Sequence, residues 1–126
     1  MLLLLDTHAL VWSLTSRSRF SAEVLDSISD VGNDVWVSAI SAYEIEYKRP
    51  RDPELQKMPA DLDDAVRRQG LSWLPMTATH GATAARLPLH HPDPWDRILV
   101  AQAMLEGMTL VTIDRKLSRY GVPTLW

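Results

Sequence analysis

Short apolar runs alternate with helix-patterned segments along the whole of this 126-residue chain. No other feature restricts the fold as strongly. Strands separated by helices need long crossovers, and those crossovers build a parallel sheet covered by helices on both faces. The β-type runs are "LLLL" at 2–5, "DVWVSAI" at 34–40, "LSWLPM" at 71–76, "MTLVTID" at 108–114 and a fifth in "VPTLW" at 122–126. The first has no polar residue on either face, as expected of a strand buried on both sides. Between the runs, "THALVWSL" places Leu10, Val11 and Leu14 together, and "SAEVLDSISDVG" starts at the cap-type Ser21 and stops near Gly32. "SAYEIEYK" reads as a helix opening at Ser41, "ADLDDAVRRQG" as an amphipathic helix ending at Gly70, and "TATHGATAARL" as a short helix. "WDRILVAQAMLEG" is the strongest helix, with good helix formers and a stop at Gly107. "RPRDPELQKMP", with Pro50, Pro53 and Pro59, reads as an irregular surface connection and "PLHHPDP" as a loop. The expectation is an α/β fold with a central parallel sheet of four or five strands. At 46% hydrophobic residues the chain can bury one core but has no room for a second domain of ordinary size.

Composition removes several chemistries. There is no cysteine, which excludes disulfides, zinc–thiolate sites and cysteine nucleophiles. Net charge is −3, so a polyanionic substrate needs a local basic patch or a bound cation. "MLLLL" lacks a basic leader and is cut by Asp6, and nothing approaches the ~18–20 apolar residues of a membrane span. The expectation is a soluble, unprocessed, cytoplasmic protein.

A carboxylate directly after a buried strand is the next constraint, since an unpaired desolvated charge is costly. Asp6 ends the first strand and Asp114 the fourth. Glu44 falls in the first turn of the helix after the second strand, and Asp96 in the first turn of the longest helix. In parallel sheets ligands sit outside the carboxyl ends of the strands, and all four acids are expected on that edge. Each alone has a capping explanation. Ser41 and Glu44 fit a capping box. Asp93-Pro94-Trp95-Asp96 fits an N-cap, a first-turn proline and an acid facing the helix dipole. Asp6 and Asp114 fit plain N-caps. Together, however, four converging carboxylates repel one another. A hard divalent cation, Mg²⁺ or Mn²⁺, relieves that repulsion. Such an ion acidifies a water, orients it toward a phosphodiester and lets an acidic protein hold a polyanion.

The segments "LLLLDTHALVW", "VSAISAYEIEYK" and "LPLHHPDPWDRILVAQAMLEGMTLVTIDRKLSRYGV" occur in this order over nearly the whole chain. They resemble the PIN-domain family, in particular the VapC-type toxins of prokaryotic toxin–antitoxin pairs. The resemblance implies a three-layer α/β/α domain over residues 1–126. It implies a metal-dependent endoribonuclease that cleaves RNA, works as a homodimer and is silenced by a small antitoxin whose tail lies across the active site. It assigns catalysis and metal binding to Asp6, Glu44, Asp96 and Asp114. Two departures are visible: Trp95 stands where the family often has Phe, and "KRPRDPELQKMP" lacks the glycine the family often carries there.

Neighbouring residues supply secondary expectations. Thr112 shares a strand face with Asp114 and is a candidate hydrogen-bond donor to a metal ligand. Asp93 is an N-cap candidate and a fifth acid near the cluster. Arg97 and Arg115, each directly after a proposed catalytic acid, are candidates for RNA phosphate contacts. His90 and His91 read as solvated loop residues beside the site, His8 as a packing or loop contact, and His80 as a helix-start residue. Trp12, Trp36 and Trp73 read as core. Two other functions compete. One is a phosphotransferase or phosphatase forming an aspartyl phosphate on Asp6; the acid such enzymes need two residues on is replaced by His8. The other is a non-catalytic binding module whose acids are caps.

Overall fold

A computed structural model describes residues 1–126. One parallel sheet contains β1 (Leu2–Leu5), β2 (Asp34–Ser38), β3 (Ser72–Leu74), β4 (Thr109–Val111) and β5 (Thr124–Leu125), in the order β3-β2-β1-β4-β5. The all-leucine strand is central: Leu3 pairs with Val35 on one side and Thr109 on the other. Successive side chains of a strand point to opposite faces, and β1 divides the core accordingly. Leu3 and Leu5 join a cluster with Val35, Val37 and Val111, whereas Leu4 joins another with Leu99, Val100 and Leu110.

Six α-helices complete three layers: α1 (Thr7–Thr15), α2 (Ala22–Ser29), α3 (Ala39–Lys48), α4 (Leu62–Arg68), α5 (Ala78–Arg86) and α6 (Pro94–Glu106). Leu10 of α1, Val24 of α2, Ile45 of α3 and Val66 of α4 cover the first face. α6 covers the second and packs against α5. The α/β/α architecture expected from the alternation is present, with all five strands.

Three differences from the sequence reading have local reasons. α3 opens at Ala39, because the Ser38 hydroxyl accepts the Ile40 amide at 3.1 Å and starts the helix as the strand ends. β4 stops at Val111 rather than at 114, because the Thr112 hydroxyl accepts the Asp114 amide at 3.0 Å and turns the chain out of the sheet. The proline-rich segment is more ordered than a surface connection. It forms short 3₁₀ turns at Arg49–Arg51 and Leu55–Lys57 and buries Leu55 and Met58 in the core. The Arg49 guanidinium, donating to the Met58 and Pro59 carbonyls at 3.0 and 3.1 Å, holds it there. Trp12, Trp36 and Trp73 pack at the margin of the core, partly buried. No helix is long and apolar enough to cross a membrane.

Candidate active site

β1 delivers Asp6 to the carboxyl edge of the sheet, where extended backbone makes it the N-cap of α1. Its Oδ1 accepts the Ala9 amide at 2.8 Å, and the residue is 4% exposed. Capping and membership of the acid cluster therefore coexist. Burial pushes the Asp6 carboxyl above its usual range, against the opposing pull of the Thr112 hydroxyl and the Ala9 amide, while the Glu44 charge adds to the rise.

Glu44 lies in the second turn of α3, not the first, and makes no capping box with Ser41. The reason is the earlier helix start at Ser38. Its Oε1 accepts the Thr7 hydroxyl at 2.7 Å, and its Oε2 receives the Lys48 ammonium at 2.6 Å. Ser41 instead sits 2.9 Å from that Thr7 hydroxyl. The Glu44 hydrogen bond holds the Lys48 ammonium above its ordinary pKa, with burial opposing.

α6 presents Asp96 from its first turn. Asp93 caps this helix, its Oδ1 accepting the Trp95 amide at 2.8 Å and the Asp96 amide at 3.4 Å, with Pro94 at the first position. The Asp96 carboxyl is pushed up to about 7 by burial first, then by the charges of Asp93 and Asp6, with His91 opposing and Glu44 adding. Asp114 follows β4 and caps a 3₁₀ turn at Arg115–Tyr120, its Oδ1 accepting the Lys116 amide at 2.9 Å. Burial would raise its carboxyl, but the Lys116 amide and the His91 ring outweigh burial and leave it below the usual range.

The four predicted acids thus meet at one edge. Asp6, Glu44, Asp93 and Asp96 are near enough to raise one another's charge cost. Asp114 reaches Asp96 through His91, whose Nε2 is 2.8 Å from Asp114 Oδ2 and 3.5 Å from Asp96 Oδ2. One ligand atom each from His91, Asp96 and Asp114 lie within 4.8 Å of one another. Against these five carboxylates the ammonium of Lys48 is paired with Glu44 alone. The donors are hard oxygens, and the like charges of Asp93, Asp6 and Glu44 add to the rise that burial imposes on the Asp96 carboxyl. Both properties fit a divalent oxygen-preferring cation. A cavity of ≈ 280 Å³ opens beside this cluster and is lined by Thr7, His8, Trp12, Arg19, Glu44 and Lys48.

Thr112 lies buried against Asp6, where its hydroxyl serves both that carboxylate and the Asp114 turn. Arg97 corrects an expectation. It is buried, and its guanidinium donates to the carbonyls of Ala84, Leu87 and Pro88 at 2.8 to 2.9 Å and to the Tyr120 hydroxyl at 3.3 Å. It has turned away from the site and cannot meet RNA. Arg115 is exposed at the rim. His91 corrects another: its side chain is 11% exposed and built into the cluster. Sequence reasoning also passed over Thr7, and it read Lys48 as a candidate phosphate contact rather than as the partner of Glu44. The spacing of Glu44 and Lys48, four apart on one helix, was a legible signal for that pairing.

Comparisons with known proteins give the family and the fold. The PIN-domain family model matches residues 3–123. Ribonuclease VapC22 of Mycobacterium tuberculosis is 31% identical over 137 residues, covering 98% of this chain and 97% of that protein. VapBC2 from Rickettsia felis, solved bound to a promoter DNA fragment, contains a chain of the same fold, with a TM-score of 0.72 and 18% identity over 99% of this chain and 98% of that one. DNA-bound VapBC from Salmonella typhimurium gives a TM-score of 0.69 at 19% identity, with the same coverage.

Proposed function

Because the chain belongs to the PIN-domain family, we propose that residues 1–126 act as one Mg²⁺- or Mn²⁺-dependent endoribonuclease domain, the toxin of a toxin–antitoxin pair. The observation that carries this reading is the convergence of carboxylates from four separate places in the chain on one sheet edge. Asp6, Glu44, Asp96 and Asp114 would hold the cation. When bound, it supplies charge neutralisation at the phosphate and an acidified water. The protein's own part is to hold the oxygens in place. The Ala9 amide fixes Asp6, Thr7 and Lys48 fix Glu44, and the Asp93 cap aims the first turn of α6. Arg115, exposed directly after Asp114, would meet a phosphate of the RNA. Formation of an aspartyl phosphate gains no support, since Asp6 is buried and its Oδ1 is already engaged by Ala9.

The partners follow from the same reading: a small antitoxin protein, supported by the VapBC complexes among the structural relatives, a second copy of the chain, and a cytoplasmic RNA pool. The test is incubation of the purified protein with single-stranded RNA in Mn²⁺, Mg²⁺ or chelator. Cleavage that needs metal and vanishes in Asp96→Asn is expected. Undiminished cleavage in chelator or in that variant rejects the mechanism. Light scattering tests the dimer, and a species at the 14.2 kDa of one chain rejects it.

A further inference from the structure

His91 is fixed by three independent contacts. Its ring Nδ1 accepts the Asp93 backbone N–H at 3.0 Å. Its own backbone N–H donates to the Tyr120 hydroxyl at 3.0 Å, the same hydroxyl that receives Arg97. Its Nε2 lies 2.8 Å from Asp114 Oδ2. The first contact decides the chemistry of the third. An imidazole nitrogen that accepts an amide proton carries its lone pair there, so in the neutral ring the proton sits on Nε2. That nitrogen therefore donates to Asp114 and has no lone pair for a cation, even though it lies among the ligand atoms of Asp96 and Asp114.

We propose that His91 is a positioning residue and not a metal ligand: its Nε2–H holds Asp114 Oδ2 in the orientation in which Asp114 coordinates the cation. The inference rests on the reading that these acids bind metal. Asp114 Oδ1 is held by the Lys116 amide and Oδ2 by His91, which fixes the side chain from both ends. Each oxygen still keeps a lone pair for coordination. The support behind His91 is organised by the buried Arg97. Arg97 gathers the carbonyls of Ala84, Leu87 and Pro88, and His90 packs edge-on against Tyr120 with centroids 5.0 Å apart. The loop that reads as solvated in the sequence is thus the mount of the ring.

The experiment is Mn²⁺ titration by calorimetry and electron paramagnetic resonance on wild type, His91→Ala, His91→Gln, Asp114→Asn and the His91→Ala/Asp114→Asn double variant. A glutamine amide N–H reaches to about the place of Nε2. His91→Ala is expected to weaken Mn²⁺ binding by about ten- to hundredfold, the usual cost of losing such an outer partner. His91→Gln should restore most of it, and the double variant should bind no worse than Asp114→Asn alone. Equal, wild-type affinity in both His91 variants overturns the proposal and leaves the metal reading standing. So does a multiplicative loss in the double variant, or spin-echo modulation from a directly bound ¹⁴N in wild type that disappears in His91→Ala. If wild type binds no Mn²⁺, the metal reading falls and this inference with it.

Discussion

His80 and His91 make the same local pattern in two parts of the molecule. Each ring accepts a nearby backbone amide on Nδ1, Thr77 for one and Asp93 for the other, both at 3.0 Å. Each points Nε2 at a distant carboxylate, Glu106 at 2.9 Å and Asp114 at 2.8 Å. Yet Glu106 ends α6 and is 42% exposed, about 15 Å along the helix from Asp96. There the histidine completes a capping box and ties α5 to α6. Around His91 the carboxylate belongs to a cluster whose charges already oppose one another. Hydrogen-bond grammar alone does not assign a role to a histidine; the electrostatics behind its partner does.

The sharpest way to break this contrast is to neutralise one carboxylate on each side. Asp6→Asn or Asp96→Asn should lower RNA cleavage on the order of a thousandfold, whereas Glu106→Gln should leave it within about twofold in the same assay. Arg97→Met leaves buried carbonyls without donors and should cost about 3 kcal/mol in urea denaturation. It should also weaken Mn²⁺ binding, because it loosens the mount of His91 but not of His80.

A pH series comes next. The Asp96 carboxyl is raised to about 7 in the folded protein, so the fold retains a proton that the unfolded chain gives up near pH 4. The destabilisation from its charge is absent below about pH 4, grows through the interval and is complete above about pH 7. Discounted for its partial exposure, it amounts to about 2 kcal/mol. Metal-free Asp96→Asn should match wild type at about pH 4 and exceed it at about pH 8, read as urea midpoints. A constant gap would refute the assignment. His80→Ala should cost about 1–2 kcal/mol through the lost cap and interhelix tie, with Mn²⁺ affinity unchanged. The smallest effect is that of Arg115→Ala, a few-fold loss of RNA affinity with the salt slope reduced by about one.

What the sequence disclosed depended on the range of the cause. An unbroken leucine run requires burial on both faces, so the central place of β1 was legible. The meeting of four acids followed from topology without knowledge of any contact. Helix onset at Ser38 was not legible, because Ser38 and Ser41 are equally good caps on paper and Thr7, far away in the chain, engages Ser41. The early end of β4 was decided by the Thr112 hydroxyl competing with the ladder for a backbone amide. Arg97 was misplaced for an avoidable reason: adjacent residues on a helix do not share a face, so Asp96 toward the cluster implies Arg97 away from it. His91 depends on Asp114, 23 residues further on in another loop, and nothing local announces that.

The sheet order has a consequence for the birth of the protein. β1 is made first and waits for β4 as its second neighbour, which is made almost last. Asp6 and Glu44 leave the ribosome long before Asp96 and Asp114, so on the proposed function a growing chain would long hold only part of the metal site. The proposed site would be complete only once the final strands dock, which makes the whole of synthesis an interval in which a partner can arrive.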